Sequence, residues 1–125
     1  MNGERWLITG SRKKGYSKQV FEHLDTCLAT YRQFYVDDWI PDCIIHGACS
    51  DSADEYADKW AEMNTIPVER FPSTKGNYLK RNIEMVENDV TEVIAFWDGF
   101  SYGTAHTISQ ALVHGLPVTV IELKK

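Results

Sequence analysis

The sequence predicts an α/β domain of three layers, with helices covering both faces of a central, mostly parallel sheet of about five strands. Three observations carry this reading. Short apolar runs alternate with stretches of helical apolar spacing along the whole chain. The run Val93-Ile94-Ala95-Phe96-Trp97 is continuous and not alternating, as in strands buried on both faces. Strands are followed by small, polar, mostly glycine-containing loops that lead into helices.

Arg5–Thr9 is the first strand, ending at Gly10. After the loop Gly10–Gly15, Ser17 is an expected N-cap for a helix with Val20, Phe21, Leu24, Leu28 and Tyr31 on one face. Cys43–His46 is the second strand. The loop Gly47–Ser52 leads into a helix, because Ser52 and Glu55 have capping-box spacing. Ala53, Ala57, Trp60, Ala61 and Met63 are its expected inner face. Pro67–Phe71 is a short peripheral strand, followed by the loop Pro72–Gly76. Asn77 is placed to cap a helix with Leu79, Ile83 and Val86 inward. Glu92–Trp97 is the central strand. Its loop, Asp98–Gly103, opens a helix with Ala105, Ile108, Ala111 and Leu112 inward, closed by His114-Gly115. Pro117–Leu123 is the last strand. Right-handed βαβ crossovers then bring all four strand-to-helix loops to the carboxyl edge of the sheet, where ligands bind in such folds.

The 125 residues suit one domain, 1–125, with no linker, low-complexity tract or internal repeat. A formal net charge of −5 excludes a general nucleic-acid or anionic-membrane binder, but not a local basic pocket. Three cysteines, Cys27, Cys43 and Cys49, imply no disulfide framework. The N-terminal segment lacks the pattern of a signal peptide, and no apolar run reaches membrane-spanning length. A cytoplasmic protein is expected.

The loop residues share a chemistry. Ser11, Ser50, Ser52, Ser73, Thr74, Ser101 and Thr104 offer hydroxyls; Arg12, Lys13, Lys75 and Arg81 offer positive charge; Asp51, Asp54 and Asp98 offer acceptors for ribose hydroxyls or base amines. Glycine at a helix start allows close backbone approach to an anion, which the free N–H groups favour. Each loop also has a structural reading, with hydroxyls capping helices and charges solvated. Together they favour a phosphate-sugar-base ligand. Trp97, Phe100 and Tyr102 could stack on its base, close a lid or form a dimer contact. No G-x-G-x-x-G follows the first strand and no Walker-type loop is present, which argues against dinucleotide dehydrogenases and NTPases. The spacing Cys43-x-x-His46-x-x-Cys49 suggests zinc, but strand alternation sends Cys43 and His46 to opposite faces and no fourth ligand lies nearby, so neither metal nor cofactor is expected. His46 and His106 stand near the same edge, more simply as structural residues.

Several segments, in order and spacing, resemble one family. They are Trp6-Leu7-Ile8 with Thr9-Gly10-Ser11-Arg12; Ile44-Ile45-His46-Gly47-Ala48 with Ala53-Asp54; Arg81-Asn82 with Met85; Val93-Ile94-Ala95-Phe96 with Gly103-Thr104; and Gly115-x-Pro117-Val118. Together they are similar to the YspA/YpsA-related branch of the SLOG superfamily, Rossmann-like domains related to the LOG phosphoribohydrolases. The resemblance implies a nucleotide-derived ligand at the carboxyl edge. It places Gly10, Ser11 and Arg12 in a first ligand loop and Gly47, Ala48 and Asp54 in a second. It puts Arg81 and Asn82 in the site from the third helix, with Gly99, Ser101, Gly103 and Thr104 around phosphate. Lys75 and Asp98 join this set from the loop chemistry.

Two departures stand out. Ser52 occupies a position where the family has glycine, and His106 and Thr107 stand where the LOG enzymes carry an acidic residue. N-glycosidic cleavage needs a carboxylate, for which Glu84, Asp54 and Asp98 are the remaining candidates. The expected function is therefore capture of a nucleotide or nucleotide-derived molecule, such as a signalling nucleotide, by a sensor or sequestering protein. The alternative is a nucleoside 5'-monophosphate N-glycosidase. The aromatic residues Trp39, Trp60, Trp97, Phe100 and Tyr102, and the commonly dimeric related enzymes, point to a homodimer or higher homo-oligomer.

Overall fold

The computed structural model describes residues 3–124; residues 1, 2 and 125, the ends of the expected 1–125 domain, lie outside the described residues. Nine elements follow one another: β1 (Arg5–Gly10), α1 (Ser17–Phe34), β2 (Cys43–His46), α2 (Ala53–Met63), β3 (Val68–Arg70), α3 (Tyr78–Val86), β4 (Glu92–Trp97), α4 (Tyr102–Val113) and β5 (Val118–Glu122). The five strands form one parallel sheet in the order β3-β2-β1-β4-β5. The chain moves outward from β1 to β3, then returns across the sheet to β4. The switch point therefore falls between β1 and β4, where two successive crossovers diverge and leave a crevice. The fold is the Rossmann-like α/β arrangement expected from the alternation of strands and helices.

Strand alternation divides the core. Trp6, Ile8, Ile44, Ile94 and Phe96 face α1 and α2, with Leu24, Ala57 and Trp60 buried against them. Leu7, Cys43, Ile45 and Val93 face α3 and α4, where Met85, Val86 and Ala111 cover them. Trp6 lies within 6.4 Å, centroid to centroid, of Tyr31, Trp39 and Trp60. Its indole N–H is buried without a partner among the described residues, a cost of about 1–3 kcal/mol set against that aromatic packing. The Trp60 indole instead donates to Asp25 at 2.8 Å. Trp60 is thus a core residue and not an oligomer contact, and Trp39 packs against the same cluster.

Several local expectations change. Ser17 is the first helical residue of α1 and Tyr16 occupies the N-cap, with no side-chain cap bond. Asn77 likewise makes no cap bond at α3, whereas Ser52 accepts from the Asp54 N–H and caps α2. Met63 projects into solvent, and Leu79 and Leu112 are also exposed. The inner face of α4 is Thr104, Thr107 and Ala111. Thr107 returns its hydroxyl to the Gly103 carbonyl one turn back, so it enters the core with its polar group satisfied. A reading of apolar periodicity passes over such a residue. Among the described residues, no helix is long and apolar enough to cross a membrane.

Gly10 sits where β1, β4 and α2 meet. A Cβ built there would lie 2.5 Å from the Ala53 Cβ and 2.8 Å from the Phe96 carbonyl oxygen, neither of which can swing away. Gly10→Ala should cost about 1–3 kcal/mol of stability, as overpacked sites do. Urea unfolding measures it, and an unchanged midpoint would contradict the close approach.

Candidate functional site

A cavity of about 710 Å³ opens at the carboxyl edge of the sheet, over the switch point. Its walls come from the end of β1 (Thr9–Arg12), the β2–α2 loop and start of α2 (Cys49, Asp54), the β3–α3 loop and α3 (Gly76, Tyr78, Leu79, Arg81, Asn82, Met85), and the start of α4 (Ser101–Thr104). Of the residues expected from sequence, Gly10, Ser11, Arg12, Asp54, Arg81, Asn82, Ser101, Gly103 and Thr104 line it. Gly47, Ala48, Lys75, Asp98 and Gly99 do not. Gly47 is buried behind Arg81, while Ala48, Lys75 and Gly99 face solvent. Asp98 organises the loop instead.

Arg81 is the central wall residue. It is buried, and its guanidinium donates to the Gly47 carbonyl at 2.6 Å, the Phe71 carbonyl at 2.9 Å and the Asn82 side-chain oxygen at 3.0 Å. A Cβ on Gly47 would lie 2.5 Å from its Nη1, so glycine is required for this approach. Among the described residues, Nη2 has only the Cys49 sulfur, at 4.0 Å. The acceptors are neutral, so the charge is held firmly but left uncancelled by them. Arg12 reaches across from the first loop and places its Nη2 3.6 Å from the same sulfur. Tyr78 lies under Arg81, with the guanidinium carbon 5.9 Å from its ring centroid.

The loops are fixed by polar contacts of their own. Ala48 has φ of 59° and donates its N–H to His46 Nδ1 at 2.9 Å. The His46 ring proton must then sit on Nε2, which donates to Asp58 at 2.6 Å. Asp58 also takes two bonds from Arg70, which hold its carboxyl below the usual range, with the His46 contact adding to the effect. Cys43 faces the other side of the sheet, among Leu7 and Ile45. The geometry thus separates the residues of the zinc-like spacing. In the last loop, Asp98 accepts from the N–H groups of Phe100 and Ser101 and from the Ser101 hydroxyl. Burial pushes the Asp98 carboxyl up, but these donors outweigh it and hold the group down at about 2. With Ser101 spent on Asp98, α4 has no side-chain cap, and its first turn, with Tyr102, Gly103 and Thr104, lines the cavity. Asn82 ties α3 to this turn by donating to the Gly103 carbonyl at 3.3 Å, and lies 3.4 Å from His106 Nδ1.

Asp54 is 5% exposed. One carboxylate oxygen accepts from the Cys49 N–H at 3.2 Å, and the other has no partner among the described residues. Burial raises the pKa of this carboxyl, opposed by His46 and Arg81. Tyr78, Leu79, Met85 and Cys49 are wall residues that loop chemistry did not single out. Tyr78 and Leu79 read as ordinary helix positions, and only the exposure of the first turn of α3 gives them to the cavity. Tyr102 lines the mouth, whereas Phe100 points into solvent and Trp97 donates to the Ser101 carbonyl.

The raised pKa of Asp54 fixes the sign of a stability effect. Below the unfolded value near 3.8 both states are protonated and the group contributes nothing. As pH rises through and beyond the folded value, the penalty for ionising it in the fold develops fully. Asp54→Asn should therefore melt higher than the parent at neutral pH, with the advantage vanishing in acid. Thermal unfolding from pH 3 to pH 8 checks this, and a pH-independent difference would contradict it.

No curated protein matches the chain. The family model described as YspA, cpYpsA-related SLOG matches residues 5–75, from β1 through the loop before α3. That segment holds the first two cavity loops with Gly10, Arg12, Gly47 and Asp54. With more than half of its length matched, the chain belongs to the YspA, cpYpsA-related SLOG family.

Proposed function

We propose that this protein captures a nucleotide or nucleotide-derived small molecule, as a sensor or sink for a signalling nucleotide. Family membership points to nucleotide-related chemistry, and the cavity volume falls in the range of small-molecule sites. The observation that carries the reading is Arg81. A buried guanidinium whose acceptors are neutral leaves positive charge at the wall, and the uncapped first turn of α4 adds its N–H groups nearby. Phosphate suits that end. The free oxygen of Asp54 suits a ribose hydroxyl, and Tyr78 and Tyr102 suit a base.

Isothermal titration calorimetry against a panel of nucleoside mono-, di- and cyclic phosphates tests the proposal. Arg12 is exposed and makes no bond that the fold needs, so Arg12→Ala should leave the melting temperature unchanged. It should weaken a phosphate-bearing ligand by about 10- to 100-fold, equivalent to losing one charged hydrogen bond of about 1.5–3 kcal/mol. Binding by no member of the panel would overturn the proposal.

A second reading, N-glycosidic cleavage of a nucleoside 5'-monophosphate, is favoured by Asp54. A carboxyl whose pKa is raised by burial and that has one oxygen free at the cavity has the character of a general acid. Ligand fate separates the two. Intact nucleotide recovered after denaturing the complex supports capture. Free base and sugar phosphate accumulating with time, and lost in Asp54→Asn, support cleavage.

A further inference from the structure

His46 ends β2 and is 2% exposed. Its two ring nitrogens are committed in opposite senses. Nε2 lies 2.6 Å from Asp58, and Nδ1 accepts the Ala48 N–H at 2.9 Å. A ring nitrogen that accepts a hydrogen bond holds no proton, so this arrangement exists only with a neutral imidazole. The loop Gly47–Ser52 leans on that bond. Ala48 stands in the left-handed region, with φ of 59°, which its Cβ disfavours. Among the described residues its N–H bonds only to Nδ1. The loop in turn carries the cavity wall. Its Gly47 carbonyl accepts from Arg81 at 2.6 Å, its Cys49 N–H donates to Asp54 at 3.2 Å, and Cys49 itself lines the cavity.

We propose that His46 is a proton-operated latch: a proton on Nδ1 expels the Ala48 N–H, opens the Gly47–Ser52 loop and loosens the cavity wall in acid. Histidine is the side chain whose charge ordinarily changes between about pH 5 and 8. In the closed loop the N–H of a charged ring would face the backbone N–H, two donors with no acceptor between them. In the open loop Nδ1 is free to take the proton, while Nε2 keeps its bond to Asp58. Opening therefore binds one proton, and falling pH favours it. The charged groups around the ring are Asp58 and Asp54 from α2, Arg70 from β3, and Arg81 from α3 at the adjacent Gly47. On the other side of β2, β1 runs past with Trp6–Thr9 and adds no ionisable group. The two carboxylates favour the charged ring and the two guanidinium groups oppose it. Asp58 makes the direct contact, so a protonated ring keeps a counter-ion inside the fold, and the loop bond is what it loses.

The test is an NMR titration of the protein alone, from about pH 8 to pH 5, and it does not depend on the nucleotide reading. The ring nitrogens of His46 report its protonation directly. Amide hydrogen exchange at Ala48, corrected for the intrinsic rate at each pH, reports the loop. As His46 takes up its proton, protection at Ala48 should fall, by up to about 10-fold per pH unit for one linked proton. Amides of β1 and β4 should keep their protection. Asp54→Asn should retain the response, which separates His46 from the neighbouring carboxyl. His46→Asn should abolish it, because the amide oxygen can accept from Ala48 but does not titrate. The proposal is overturned by a ring that stays neutral to the end of the titration, or by one that titrates with Ala48 unchanged. Protection lost from the whole sheet at the same pH, or a response that disappears in Asp54→Asn or persists in His46→Asn, overturns it as well.

Discussion

The site depends on one buried cation. Arg81 leaves α3, passes beneath the carboxyl edge and donates to carbonyls that follow β2 and β3. A buried guanidinium without acceptors would cost several kcal/mol. Here the backbone supplies them, because Gly47 and Phe71 lie just past the ends of β2 and β3 and offer their carbonyls to the guanidinium. The contact therefore fixes the spacing of β2, β3 and α3 and holds the guanidinium at the cavity wall. Gly47 is part of the same device, since any side chain there would displace the guanidinium. Through Asn82 the constraint extends to the first turn of α4.

Around this cation the loops are held before any ligand arrives. The strained Ala48 is stabilised by His46, and His46 by Asp58 and Arg70. Asp98 closes its own loop by accepting from Phe100 and Ser101. Loops fixed in this way lose little conformational entropy on binding. They also explain why Gly47, Ala48 and Asp98 matter without lining the cavity: they set its shape from behind. Helix α4 has a double character, with its first turn at the cavity and Leu112 at the surface.

Parallel order and the direction of the four loops were legible in the sequence, because they follow from periodicity and chain connectivity. Val93–Trp97 reads as a strand buried on both faces since no polar residue interrupts it, although β1 and not β4 takes the centre of the sheet, and Gly10 and Gly47 read as punctuation after strands. Arg81, Asn82 and Asp54 were within reach through the family resemblance. Less legible were the faces of α3 and α4. Thr104 and Thr107 are buried, Thr107 with its hydroxyl returned to the Gly103 carbonyl, while Leu79 and Leu112 stay exposed, inverting what side-chain polarity suggests.

By itself the sequence determined which segments become strands and helices, that the strands run parallel, and that polar loop residues gather at one edge, for these depend on local pattern and connectivity. Only the tertiary structure decided which of those loop residues face the cavity and which support it. That depends on where a guanidinium finds carbonyls and which carboxylate is shielded from water. These are relations between residues far apart in the chain, and no local pattern encodes them.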